Sequence, residues 1–563
     1  MSNYFLGFNK INLLFLLVFL SQILFINSLA PIDYECDASA FYSTGEFIYN
    51  FIFSSSYQMK VGYRPPGFNF YTIISGLYLF DSFYPWVILN FILSTITFLF
   101  LNKLLNQFSK ITLILGNILF IFSFIFLIHS KLFLEIHLIT NLLFINIFTG
   151  YYYLKTKKII YFYYSIFLGL YLFFTRFDLV FILFFDFIFF SIILFKNSRL
   201  KFFLKHFISI SFLCSLTLFM WLLAKHLFLF LTGEGQYFNE KSEFLLGSFM
   251  SLNHQTGPQL LWRVNNELRQ TLNTNSNKYV YNYLDKSNGI ASEMLFITLS
   301  NALRDKNVLD KIFEFKDKMY PLYSKFNHLS PNENFNRHYG DIKTNPDKIV
   351  NQIFSNNFES LYYPLQLQII LIEYIGRIKT DELLKKVSFE MIKSNKQIRN
   401  EIFNQFLDSF GISFRKENFL FFYHGNTINW FNIGPANIGN CAINTLSKNL
   451  YDEYNYEYNS KSQYNNIASL KLYEILSKSR TLVFEISSFL MVILLILLRP
   501  KLFIWKDQLI YLLFCKYLFS VLIISIFANT MGQKYENYLM VILLSLTILL
   551  IEKLYNNLNM LKK

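Results

Sequence analysis

Residues 159–195 read IIYFYYSIFLGLYLFFTRFDLVFILFFDFIFFSIILF. One membrane-crossing helix needs roughly 20 apolar residues, and this run is nearly long enough for two. Charge interrupts it near the middle, at Arg176 and Asp178. The reading that follows is a pair of apolar helices, 159–175 and 178–195, joined by a charged turn. Lys157 and Lys158 precede the pair and Lys196 follows it. Basic residues at the open end of such a hairpin place that end in the cytoplasm.

The same pattern repeats along the chain. Apolar spans are expected at 11–30, 82–102, 110–129, 132–153, 207–231, 482–499, 508–528 and 535–553, which makes ten with the hairpin. The first, Ile11–Ala30, is long for a secretory signal and is read as an uncleaved helix. Segment 68–81 is apolar but short, and is read as juxtamembrane or re-entrant. With it excluded, Lys10, Lys103, Lys110, Lys155, Lys201, Arg499, Lys506, Lys553 and Lys562 fall on one side. Both termini are then cytoplasmic. The expected fold is a mainly α polytopic membrane protein of about ten transmembrane helices, located in the cell (inner or plasma) membrane. It divides into an N-terminal transmembrane module (1–231), an extracytoplasmic insert (232–481) and C-terminal transmembrane helices (482–563). The insert is expected to be mainly helical, from the apolar spacing of 310–323, 359–378 and 381–410. Residues 449–467, rich in Asn, Tyr and Ser, are read as a loop or linker.

Composition supports a membrane class. Of 563 residues, 53% are hydrophobic and 20% aromatic, with mean hydropathy +0.33, which is far from a soluble chain. The net charge of +14 would suit a nucleic-acid partner, but the lysines and arginines sit largely in connectors between spans, where they set orientation. Cys214 and Cys515 fall inside spans, whereas Cys36 and Cys441 share the outer side, and a bridge between them is open.

The chemistry-bearing stretch lies after the first span: APIDYECDASAFYSTGEFIYNFIFSSSYQMKVGYRPPG, residues 31–67. Asp33 and Asp37 are four apart and share a face on a helix. A carboxylate at the membrane interface, poorly hydrated and near other acids, has a raised pKa suited to general base work. A solvated loop that caps a helix is the plainer reading. Glu35 and Glu46 are read as surface residues. Arg64-Pro65-Pro66-Gly67 holds a guanidinium on a stiff turn, either to grip a lipid phosphate or to anchor the interface.

Ionisable residues within spans are costly and tend to be functional. Glu135 and His137 open the fourth span. Arg176 and Asp178 either mark a helix turn or face a site. Asp186 is read as a deep partner for Arg176, or as a sign of a misplaced span. Lys516 is read as snorkelling toward the cytoplasmic face. Lys534, before the last span, would be extracytoplasmic against the general bias, as a phosphate contact or as a local partner of Glu536. No phosphate-cradling glycine loop and no zinc spacing occur, which argues against ATP-driven and zinc chemistry.

Together these residues resemble the GT-C class of integral-membrane glycosyltransferases, the superfamily of the protein mannosyltransferases and the aminoarabinose lipid A transferase. The resemblance runs through 1–205 and roughly 482–555. It rests on Asp37-Ala38-Ser39-Ala40-Phe41-Tyr42 after the first span, on Arg64-Pro65-Pro66-Gly67-Phe68, on Glu135 opening a later span, and on FLGLYLFFTRFDLVFIL. The family's Arg-Tyr pair before a late span is here Lys534-Tyr535, a departure. The resemblance implies a polyprenyl-phosphate-linked sugar as donor and a glycan, lipid or protein as acceptor. It implies inverting transfer on the extracytoplasmic face. Asp37 would be the base, with Asp33 beside it. Arg64, Lys534 and Arg176 would bind the donor phosphate, supported by Glu135, Tyr42 and Tyr535. No cofactor is expected; some members use a divalent metal, which the acids here could hold but which the reading does not require.

Of the other classes, a transporter or channel is disfavoured because Asp186 and Lys516 are too sparse to suggest a pathway, and two stay open. A polysaccharide polymerase or ligase also combines many spans with a large outer loop. A non-enzymatic assembly protein would act through 232–481.

Overall fold

The structure, a computed structural model, describes residues 10–29, 32, 34, 36–53, 66–127, 129–176, 179–197, 200–231, 289–308, 371, 374–408, 446–463, 468–502, 508–527 and 533–561. All regular structure among them is helical. In chain order the helices are α1 (Lys10–Leu29), α2 (Cys36–Phe53), α3 (Pro66–Ile74), α4 (Leu77–Phe80), α5 (Tyr84–Leu105), α6 (Lys110–Ser123), α7 (Ile136–Thr156), α8 (Ile159–Thr175), α9 (Val180–Asn197) and α10 (Leu200–Leu231). Then follow α11 (Ile290–Arg304), α12 (Arg377–Ser394), α13 (Lys396–Asp408), α14 (Lys448–Gln463), α15 (Ala468–Leu502), α16 (Gln508–Phe527) and α17 (Gln533–Leu561).

Each expected span overlaps a helix. Three segments, Lys10–Ser28, Tyr84–Leu105 and Tyr538–Asn559, are long and apolar enough to cross a membrane. An apolar run in lipid must satisfy its backbone internally, and a helix does so. Breaks fall where local chemistry asks for them. Ser109 starts α6 by accepting the Thr112 N–H, and Pro85 occupies the first turn of α5, where no donor is missed.

The chain divides into two compact units: 1–218 with 408–521 and 532–563, and 219–407 with 522–531. In the first, α7 packs on α8 and α5, α8 on α9, and the C-terminal α15 and α17 pack on α6. α17 also lies against α7. In the second, α11 packs on α12. The carboxylate of Glu390 closes the start of α11, accepting the Ala291 and Ser292 N–H groups at 2.9 and 3.0 Å.

Several expectations are corrected. The loop 31–67 contains an 18-residue helix, α2. The segment 68–81 is two short helices broken at Gly76, whose φ of 84° lies in the left-handed region that glycine enters without cost. The span expected at 110–129 ends as a helix at Ser123, where Phe124 turns left-handed (φ 52°). Residues 448–463 form α14 instead of a loop, and they group with the first unit. The possible Cys36–Cys441 bridge lies outside the described side chains.

The mid-bundle charges also find other partners than expected. Lys516 does not snorkel, and Asp186 does not serve Arg176. Lys516 Nζ lies 2.5 Å from Asp186 Oδ1, and both side chains are 1% exposed. Asp186 Oδ2 accepts from Asn146 Nδ2 (2.9 Å) and Ser165 Oγ (3.2 Å), while Lys516 donates to Asn146 Oδ1 (3.1 Å). A buried charge persists only when paired and hydrogen-bonded, and this quartet meets both conditions across α7, α8, α9 and α16.

Candidate functional site

The site is built on the irregular stretch between α6 and α7. Every residue described in 125–135 is buried. Backbone without helix must find hydrogen-bond partners when it is buried. α5 supplies them: Ser94 Oγ donates to the Phe126 carbonyl (2.7 Å) and Asn90 Nδ2 to that of Ser130 (2.7 Å). Tyr71 of α3 donates to Asn90 Oδ1 (2.7 Å). His137 Nε2 lies 3.2 Å from Ser94 Oγ and 3.1 Å from the Asn90 carbonyl oxygen. Held in this way, the stretch delivers two residues to the end of the bundle, Phe133 and Glu135.

Phe133 is the centre of an aromatic core. Its ring centroid lies 5.1 Å from Trp86, 5.4 Å from Phe68, 5.6 Å from Tyr34 and 5.7 Å from Phe83. Phe41 of α2 meets Phe68 edge-on at 5.2 Å. Ala38, Phe41 and Tyr42 are buried in this cluster. Burial, with Glu46 and Asp81 nearby, holds the Tyr42 phenol well above its ordinary pKa, so it stays neutral.

Glu135 meets Arg176. The Arg176 guanidinium donates to Glu135 Oε1 at 3.1 Å and lies 5.9 Å from the Tyr538 ring centroid, close enough for a cation–π contact. Glu135 Oε2 is buried and has no hydrogen-bond partner among the described residues. Arg176 follows the last residue of α8 in an extended conformation that turns the chain out of the helix. Immediately before it, Thr175 receives α3: a Cβ on Gly67 would lie 2.7 Å from the Thr175 amide nitrogen, so only glycine permits this approach. Tyr171 adds a hydrogen bond to the Gly67 carbonyl at 2.9 Å.

α14 covers the same end. Leu450 and Tyr454 enter the aromatic core. Glu457 pairs with buried Lys131 at 3.1 Å and accepts the Ile32 N–H at 3.1 Å. Lys131 also donates to the Asn27 carbonyl at the end of α1. Glu453 accepts the Phe83 N–H at 3.1 Å, and Ser447 Oγ donates to Asp81 Oδ1 at 2.5 Å.

The structure thus brings Glu135, Arg176, Tyr42 and the Gly67 end of the arginine-proline turn to one end of the bundle. Asp37 is the second residue of α2, directly before buried Ala38, and its side chain lies outside the described residues. Lys534 and Tyr535 are early residues of α17, Lys534 one turn before Tyr538, again without described side chains. Asp33 and Arg64 lie outside the described residues. Lys131, Thr175, Glu457 and Tyr538 were not foreseen. Lys131 carried a signal, as an isolated charge between apolar runs; the others carried none until their distant partners were known. Chemically, a guanidinium anchored by a carboxylate, among aromatic walls, can hold an anionic group in a poorly hydrated place. Comparison with protein-family models, curated proteins and solved structures finds no match for this chain.

Proposed function

We propose that this chain is a multi-pass membrane glycosyltransferase that moves a sugar from a polyprenyl-phosphate donor to a glycan, lipid or protein acceptor on the extracytoplasmic face, with inversion. About ten crossings with both termini cytoplasmic put the Glu135–Arg176 end outside and the lysine-bearing connectors inside. One observation carries this reading. Residues from separate parts of the sequence, Gly67, Glu135, Arg176 and Tyr538 in the turn of α17 after Lys534, meet at a single bundle end. In the reaction, Asp37 takes the proton of the acceptor hydroxyl as its oxygen attacks the anomeric carbon. The bond from that carbon to the phosphate oxygen breaks, and the lipid phosphate leaves as an anion. Arg176, with Arg64 and Lys534, stabilises the charge that develops there.

The test is transfer from radiolabelled polyprenyl-phosphate sugars in membranes carrying the full chain. Replacing Asp37→Asn removes the base and is expected to slow transfer by about 10²–10⁴-fold, with the protein level unchanged. Full activity in that variant would end the assignment of Asp37. A second reading, an assembly protein acting through its insert, draws on the separate compactness of residues 219–407. It gains if Asp37→Asn is silent while substitutions on α11 or α12 abolish function in cells.

A further inference from the structure

We propose that the opposite end of the bundle carries a binding cleft for the phosphate headgroup of an anionic lipid. The cleft is about 600 Å³ and lies between the last turn of α7, the first residues of α16 and the last turns of α17. Among the described residues, Lys155, Lys157 and Lys553 line it with one carboxylate, Glu552. That carboxylate is committed elsewhere: it accepts the Ser109 N–H at 2.9 Å, at the start of α6, and Asn556 Nδ2 at 3.1 Å. Lys155 in turn donates to Gln107 Oε1 at 2.6 Å, so Lys157 is the cation that a ligand in the cleft would meet first. Lys157 makes no side-chain hydrogen bond or ion pair among the described residues, and it ends α7 in a left-handed conformation (φ 56°) that favours glycine. Partial burial weakens its hold on its proton, and a bound phosphate would restore it. Gln508 of α16 also lines the cleft.

Leu154 and Leu549 make the adjoining wall apolar. A charged mouth on an apolar wall fits an amphiphile better than a soluble phosphate. α17 contains a segment long and apolar enough to cross the membrane, and the cleft lies near the C-terminal end of that segment, at the level where headgroups lie.

The experiment is native mass spectrometry of the full-length protein in detergent, with phosphatidic acid, phosphatidylcholine or inorganic phosphate added. Phosphatidic acid is expected to bind in preference to phosphatidylcholine and to resist excess inorganic phosphate. Lys157→Gly suits the local backbone and so preserves the fold. It and Lys553→Gln should each lower phosphatidic acid affinity by about five-fold. Lys157→Arg should retain it. Equal retention of the two lipids, or unchanged binding in both charge-removing variants, overturns the site. Displacement by inorganic phosphate overturns the lipid assignment.

Discussion

At mid-bundle, Asp186 and Lys516 meet at 2.5 Å, and Asn146 and Ser165 occupy their remaining bonds. At the bundle end, Arg176 meets Glu135 at 3.1 Å, with Arg176 17% exposed and one Glu135 oxygen without a partner among the described residues. Both are ion pairs in an apolar helix packing. The first is closed, so its chemistry is used up in joining α9 to α16. In the second, Glu135 keeps one oxygen without a hydrogen-bond partner among the described residues, and Arg176 also lies 5.9 Å from the Tyr538 ring centroid. The first pair is wholly enclosed, whereas the second is partly open and so within reach of a ligand.

That contrast predicts opposite outcomes on substitution. Lys516→Met strands the Asp186 carboxylate in the core and should cost about 3–5 kcal/mol, read as a fall in the detergent melting temperature. The double variant Lys516→Met with Asp186→Leu should recover most of the loss. Glu135→Gln keeps an acceptor for Arg176, so stability should change far less while transfer falls. If both single variants behaved alike, the distinction between the two pairs would collapse.

A second test sits at the seam between α3 and α8. Gly67→Ala forces a methyl group against the Thr175 backbone. The expected cost is about 1–3 kcal/mol, with transfer falling further than stability alone explains, because Arg176 is the next residue. The smallest expected effect concerns the α14 cover. Burial raises the Glu453 carboxyl above the ordinary carboxylate range, and Glu457 adds to this against the bonds from Ser82 and Phe83. An acid whose folded pKa is raised holds its proton more tightly when folded. Its stabilising share is thus full below the ordinary carboxylate pKa and is lost as pH rises through the raised value. Hydrogen exchange along 448–463, corrected for intrinsic chemistry, should quicken over that rise, and Glu453→Gln should flatten the trend.

Much of this architecture was written in apolar runs, which need no partner to be read. α8 and α9 follow from 159–195 because its apolar run breaks near the middle only at Arg176 and Asp178. α14 was hidden by its Asn- and Tyr-rich composition. Its signal was the spacing of Leu450, Tyr454 and Glu457, one face of a helix whose partners lie far away in sequence. The end of α6 was unreadable for a similar reason: Phe124 and the residues after it leave the helix because Asn90 and Ser94 accommodate their carbonyls. Asp186 and Lys516 could each be flagged as costly, but their pairing depends on packing between helices that sequence does not order. At the candidate site, Glu135 and Arg176 were legible singly, and their contact was not.

The account stands most directly on where a donor lipid binds. Photo-crosslinking of the full-length protein with a diazirine-bearing polyprenyl phosphate, followed by peptide mapping, reads that position. Label in residues 64–76 and 171–180 is the predicted result, reduced in Arg176→Ala. Label confined to 290–308 or 377–408, and unchanged in that variant, would contradict it.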